Sequence, residues 1–443
     1  MASTKLSRTA GTPTSNKKFT ISYWVKRSNI GSAGNGHIFD TYVDSTNRSQ
    51  IHFDDDNVID FRLQVSGSNT GRLKTNRVFR NTSAWYHIVA SVDTTLGTAD
   101  DRVKLYINGV QETSFSSRTN PSQNSDFPMA GTHTLGAYGG GTNYFDGTLT
   151  HVHFTDGYSY APTVFGETDS TSGIWKPKTA PSVTYGTNGF FLKFENSGAM
   201  GTDSSGNGNN FTVAGTLTQN VDTPSNNFPI INKAMPPSLA SNATLSNGNL
   251  TSTSNTSDYS ILCSMGVNKG KWYWEVKMGN AANTRSVGVV RADQIVISGN
   301  SSGFYPGGNG NATNFTSAWN GANGFVQTNT NGTQTQVTSN VTTLASGDIA
   351  GVALDLDNYT LKFYKNGTLD GTATLSAAWI EDFVLPCARA DHNQIMHFNF
   401  GSGYFGTTAV SSANADANGH GIMEYAVPTG YYTLNTKNIK EFG

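Results

Sequence analysis

The chain has 443 residues, and its 29 Lys and Arg against 31 Asp and Glu leave a formal net charge of −2. That length holds two or three domains with full-sized cores, and the even charge excludes the footprint of a nucleic-acid binder or of a protein held on an anionic membrane. Hydrophobic residues at 36% and charged residues at 14% leave room for Gly, Asn, Ser and Thr, and 24 Phe with 18 Tyr describe short aromatic strands and many turns, not a disordered chain. The opening stretch, MASTKLSRTAGTPT, lacks the apolar segment of a signal peptide, and no run approaches a membrane span. Synthesis in a cytoplasm, without membrane insertion, is therefore expected. Cys263 and Cys387 are the only cysteines, which excludes a disulfide framework and leaves two buried free thiols as the simplest expectation.

In chain order, Phe19–Lys26 (FTISYWVK) alternates, with Phe19, Ile21, Tyr23 and Val25 on one face. Further strands are predicted over 37–43, 50–53, 58–65, 86–92, 103–107, 132–137 and 147–154, separated by turn signals. A short helix is expected over Ala161–Glu167, with Pro162 at its first turn. The least regular part, from about Gly166 to Pro237, holds six prolines. Within it Phe190–Val213 has the apolar content to return and pair with the first sandwich, which leaves 221–237 as linker.

The second half predicts strands at 243–250, 259–263, 271–278 (KWYWEVKM), 286–290, 383–388 and 397–400. Its centre is a meander, 349–356 followed by 360–364, closed by Asn366-Gly367. The first half has a similar meander closed by Asn108-Gly109. Asn-Gly is the strongest short hairpin signal, because a type I′ turn needs positive φ at both central residues. Two such meanders, each with one dry face, imply two layered bodies.

Residues 1 to about 215 resemble a laminin-G-like, concanavalin A-like sandwich, through SYWVKRS (22–28), SAWYHIVASVDTT (83–95), RVKLYINGVQ (102–111) and DSSGNGNNFT (203–212). Residues from about 240 to 405 resemble a SPRY domain, through GKWYWEVKM (270–278), GDIAGVALDLDNYTLKFYKNG (347–367) and FNFG (398–401). This order, with an FGET-type connector, is similar to large structural proteins of tailed bacteriophages. The long attachment or coiled-coil region with which phage fibres often begin is not seen here. The fold expected is all-β: two tandem concanavalin A-like or jelly-roll sandwiches at 1–220 and 240–443, joined by a Pro/Gly/Asn-rich connector at 221–239. The resemblance implies a non-enzymatic virion protein (tail fibre, head fibre or capsid decoration) made in the host cytoplasm and carried on the particle's exterior. Its implied partners are other virion proteins, copies of itself in a homo-oligomer, and host-surface glycan.

Catalysis is not expected. Glucanases of the resembled fold use Glu-x-Asp-x-x-Glu along one strand, a spacing that does not occur here. No Gly-x-Ser-x-Gly elbow or P-loop occurs either, and Asp54-Asp55-Asp56 reads as a solvent-facing charge run. His151 and His153, two apart on a predicted strand, would share a face with Asp156 following, but no third metal ligand is evident. The resemblance implies a calcium ion held by loop carboxylates, for which Asp93, Asp100 and Asp101 are the candidates. Sugar binding calls for an exposed aromatic among Asn, Asp and Gly on loops. Two stretches qualify, 137–146 (AYGGGTNYFD) and 304–324, and Tyr138, Tyr144, Tyr305 and Trp319 are the stacking candidates. The alternative is that Phe145, Phe304 and Trp319 pack into their own sandwich.

Overall fold

The two Asn-Gly pairs adopt the backbone their sequence predicts. In the computed structural model Asn108 and Gly109 have φ of +49° and +83°, and Asn366 and Gly367 have +48° and +83°. Each Asn also clamps the preceding strand: its N–H donates to the carbonyl of His87 or Ile349, and its side-chain oxygen accepts that residue's N–H at 2.8 Å. The structure describes residues 4–31, 36–139, 141–233, 243–255, 259–281, 285–294, 315–331, 333–337 and 341–443. They divide into two units, Met1–Gln219 and Asn220–Gly443.

In the first unit the strands are β1 (Lys5–Ala10), β2 (Lys18–Arg27), β3 (Gly36–Tyr42), β4 (Arg48–Phe53), β5 (Val58–Val65) and β6 (Ser68–Val78). There follow β7 (Trp85–Asp93), β8 (Val103–Ile107), β9 (Val110–Gln111), β10 (Phe115–Thr119), β11 (Gly131–Leu135) and β12 (Gly147–Asp156). The last four are β13 (Gly166–Thr168), β14 (Trp175–Pro177), β15 (Phe190–Leu192) and β16 (Thr212–Ala214). Fourteen of them form an eight-stranded sheet, β10-β6-β5-β4-β3-β11-β1-β16, and a six-stranded sheet, β15-β12-β2-β7-β8-β9, while β13 and β14 pair only with each other. Phe19, Ile21, Phe39, Ile51, Phe61, Leu73, Leu105 and Phe154 close the core between them. β15 pairs β12 and β16 pairs β1, so the 190–213 stretch returns as expected. The turn between β15 and β16 is held by Asp203, whose carboxylate accepts the N–H groups of Phe191, Ser205 and Asn209. That gives DSSGNGNN a structural purpose.

β1, β6 and β10 were not expected. They are mostly polar: of apolar side chains β1 turns only Leu6 and the small Ala10 inward, and β6 only Leu73. The expected helix near Ala161 is a 3₁₀ turn, Pro162–Val164, before β13.

The second unit repeats the two-layer plan. One sheet runs Ala243–Ser246, Thr251–Ser254, Ile395–Asn399, Lys271–Met278, Ile349–Asp355, Thr360–Lys365 and Thr368–Thr374. Its partner runs Tyr259–Leu262, Val384–Ala390, Arg285–Arg291, Thr316–Asn320, Phe325–Thr330 and Thr333–Val337. Trp272, Trp274, Trp319, Trp379 and Phe363 fill the space between. The chain is thus all-β, two tandem β-sandwiches, with a short helix at Thr436–Phe442. No helix among the described residues is long and apolar enough to cross a membrane.

The linker expected at 221–237 differs in its described part. Phe228, Ile230 and Ile231 are buried in the second unit. Ile231 bridges Cys263, and the Ser264 N–H donates to the Ile230 carbonyl. The prolines around this segment mask a three-residue apolar anchor, and burying it outweighs the composition. Cys263 and Cys387 are free and buried, and burial pushes both thiols up.

Candidate binding face

Register places a polar array on the outer face of β3–β6. Phe39, Ile51, Phe61 and Leu73 point into the core, so the alternate residues point away from it. One row crosses the four strands as His37, His52, Asp60 and Lys74; the next crosses as Asp40, Gln50, Arg62 and Arg72. A bulge in β3 between His37 and Phe39 sets His37 and Asp40 three residues apart on this face, with imidazole Nδ1 and carboxylate 2.9 Å apart. The His37 and His52 rings stack at 4.5 Å.

Charges are matched closely. Asp60, fully buried, accepts Arg62 Nε at 2.8 Å and Arg72 Nε at 3.0 Å, and both guanidinium NH2 groups reach its Oδ2. Burial pushes the Asp60 carboxyl up, but the bonds from Arg72 and Arg62 outweigh it and hold it below the usual range. Asp54 takes Lys74 at 2.8 Å, and Asp56 shares the same ammonium at 3.1 Å. Asp54 and Asp56 are therefore ion-paired, where a solvated charge run was expected. Burial raises Asp40, partly offset by His37. Burial and the neighbouring His37 lower His52 to about 3.

The Ala137–Asp146 loop lies over this array. Gly139 N–H donates to Asp40 at 3.1 Å and His37 N–H donates to the Asn143 carbonyl. Tyr138 meets His37 and Tyr42 edge-on, while Arg48 sits over its ring at 5.2 Å and donates to its hydroxyl. The approach is close: a Cβ on Gly139 would come within 2.6 Å of the Tyr42 Cβ. Arg48 stands directly opposite Gln64, and Arg48 Nε and Gln64 Oε1 are buried without a protein partner.

Of the stacking candidates, Tyr138 and Tyr144 are half-buried on this loop. Trp319 is a correction: it is fully buried, its indole N–H donates to the Thr342 carbonyl, and its ring packs on Phe363. An inward position on a central strand made it core. Tyr305 lies outside the described residues.

The calcium candidates do not converge. Asp93 pairs with Lys18 at 3.0 Å, Asp100 with Arg118 at 3.2 Å and Asp101 with Lys104 at 2.9 Å. Among the described residues the trio whose ligand atoms lie within 4.8 Å of one another is His52, Asp54 and Asp60. His151 and His153 form no joint site with Asp156. A bulge with His151 at φ +47° breaks the alternation, and His153 is buried against Phe191 with Nδ1 on the Tyr185 hydroxyl. Asp156 accepts the N–H groups of Thr14, Ser15 and Asn188. Sequence reasoning missed His37, Asp40, His52, Asp60, Arg62 and Arg72. Part of their signal was QIHF and DFRLQ, successive strands with polar or charged residues at alternate positions; in HIFD the bulge sets His37 and Asp40 three apart and hides the pattern.

Comparison with known families agrees with both halves. Residues 3–163 match the concanavalin A-like lectin/glucanases superfamily profile, and residues 271–403 match the SPRY domain profile. Among solved structures, the SPRY domain of human HERC1 is 18% identical over 35% of this chain and 91% of that one, with a TM-score of 0.28. The TRIM65 PSpry domain is 13% identical over 39% and 88%, at 0.30, and stonustoxin 19% identical over 39% and 27%, at 0.29. No functional weight attaches to likenesses of that size. No curated protein matches. The chain carries a concanavalin A-like, laminin-G-like domain followed by a SPRY domain.

Proposed function

We propose that this is a non-enzymatic binding protein whose first unit takes a carbohydrate on the outer face of β3–β6, beside the Ala137–Asp146 loop. The observation that carries the reading is the setting of Tyr138: a half-buried ring beside Arg48 Nε and Gln64 Oε1, one donor atom and one acceptor atom without a protein partner, next to rows of His, Asp, Gln and Arg. Ring C–H groups stack on sugars while amide and guanidinium groups read hydroxyls. The carboxylates of the face are engaged, Asp40 by His37 and Gly139, Asp60 by two arginines, Asp54 and Asp56 by Lys74. That favours recognition over acid–base chemistry.

The biological setting proposed is the exterior of a bacteriophage particle, as a fibre or decoration protein whose glycan lies on the host surface. It rests on the order of the two domains, and repeated copies would make weak single contacts effective. A glycan array with the whole protein tests the binding. A defined set of hits, lost in Tyr138→Ala and in Arg48→Ala with the fold intact, is expected. No hits would remove the carbohydrate reading. If mass spectrometry still finds the chain in purified particles, it becomes a structural component contacting other virion proteins. Absence from particles would remove the virion reading.

A further inference from the structure

We propose that His52, Asp54 and Asp60 form a binding site for one divalent transition-metal ion of the zinc class. Three features of the fold bring the ligands together. His52 on β4 stands directly opposite Asp60 on β5. Asp54 follows His52 by two residues, hence on the same face, and its N–H is fixed to the Val58 carbonyl at the hairpin end. A ring nitrogen of His52 and one carboxylate oxygen from each Asp then lie within 4.8 Å of one another.

The second observation is the imidazole itself. His52 is only 4% exposed, and its Nδ1 is buried without a hydrogen-bond partner. A buried polar nitrogen left unpaired is unusual and calls for a bound partner.

The carboxylates retain capacity despite their ion pairs. Three of the four guanidinium bonds to Asp60 fall on Oδ2, and only Arg72 Nε reaches Oδ1, so Oδ1 keeps a free acceptor position. Arg62 and Arg72 then act as the outer hydrogen-bonding shell that fixes a ligating carboxylate. Lys74 already divides itself between Asp54 and Asp56. A metal arriving at Asp54 leaves the ammonium on Asp56. One imidazole with two carboxylates suits zinc and its neighbours. Calcium and magnesium call for a cage of oxygens, and a buried imidazole is a poor substitute. The two nearby guanidiniums hold the affinity to a modest level. The site lies on the same sheet face as the proposed sugar site but does not depend on sugar binding.

The test uses the whole, tag-free protein, stripped with a chelator and titrated with Co²⁺ alone, then with Zn²⁺. Expected are a visible Co²⁺ absorption saturating at one equivalent, displacement by Zn²⁺ but not by Ca²⁺, and a rise in melting temperature with Zn²⁺. His52→Gln and Asp54→Asn should each weaken uptake at least tenfold with circular dichroism unchanged, while His151→Gln should bind as the parent does. The proposal is overturned if the parent shows no Co²⁺ spectrum, or if His52→Gln binds the metal equally well. Asp60→Asn is the poorer variant, since it would leave two arginines without their partner.

Discussion

The large sheets of the two units differ in what covers their outer faces. In the first unit the loop that carries Tyr138 lies over part of β3–β6, and the side chains of Arg62 and Arg72 remain 27% and 24% exposed. In the second unit the C-terminal segment seals the corresponding face. Glu275, outward on Lys271–Met278, is fully buried and accepts the N–H groups of Glu424 and Tyr425 at 2.9 and 2.8 Å. Asn399 and the Tyr273 hydroxyl donate to it as well, and Met423 and Tyr431 pack on Tyr273. Both faces start from the same alternation of apolar and polar residues. A polar side chain becomes part of a surface or a fastener according to what the later chain lays upon it.

Acid should separate the units most strongly. In the first unit burial lowers His52 and His87 to about 3 and His133 and His151 to about 4, and it lowers His153 as well. His87 shows why: its Nδ1 accepts the Trp175 indole N–H, so Nε2 must face Ser22 as the protonated nitrogen of a neutral ring. The unfolded chain takes up protons below about pH 6.5 that the folded unit refuses. Stability of this unit is therefore full above that value and lost as pH falls, by several kcal/mol in all between pH 8 and pH 5. Glu275 has the opposite sign. Burial raises it from 4.5 to about 7, so its contribution is present below the unfolded pKa and lost as pH rises through 7. The second unit should gain about 2 kcal/mol from this group over the same fall in pH. Hydrogen exchange read separately in the two units at pH 5 and pH 8 would show the divergence; a common response would break the contrast.

Next in size is Glu275→Ala, expected to cost about 3 kcal/mol in urea unfolding, because two backbone N–H groups lose their acceptor. Amide protection should fall first within 411–434, and uniform loss would argue against a fastened segment. Gly139→Ala should cost about 2 kcal/mol through overpacking against Tyr42, and should weaken any glycan binding with it. Smallest are Asn108→Ala and Asn366→Ala, about 1 kcal/mol each, since alanine tolerates positive φ poorly. Asn→Gly at either position should recover most of that loss, and failure to do so would assign the cost to the lost side-chain clamp.

Much of the scaffold could be read in advance. Predicted strands at 58–65, 103–107 and 271–278 coincide with those observed, because alternation and turn residues are local signals. β1 and β10 could not be read, since strands so poor in apolar residues are held by ladder hydrogen bonds to neighbours distant in sequence, and β6, though it pairs β5 across a short turn, has Leu73 as its only inward apolar side chain and so no alternation to read. For the site, AYGGGTNYFD was legible as a loop that carries tyrosines. That it would fold over His37, Asp40 and Tyr42, a hundred residues earlier, was not.

Local patterning alone dictates two layered all-β bodies and the places where the chain reverses, because period-two burial and the φ demands of Asn-Gly act within a few residues. Tertiary structure alone decided that Trp319 is core, that 221–233 is anchored, and that His52, Asp54, Asp60 and Tyr138 share a face. Those outcomes depend on cross-strand register and on which later segment covers an earlier sheet. Both are settled by contacts between residues far apart along the chain.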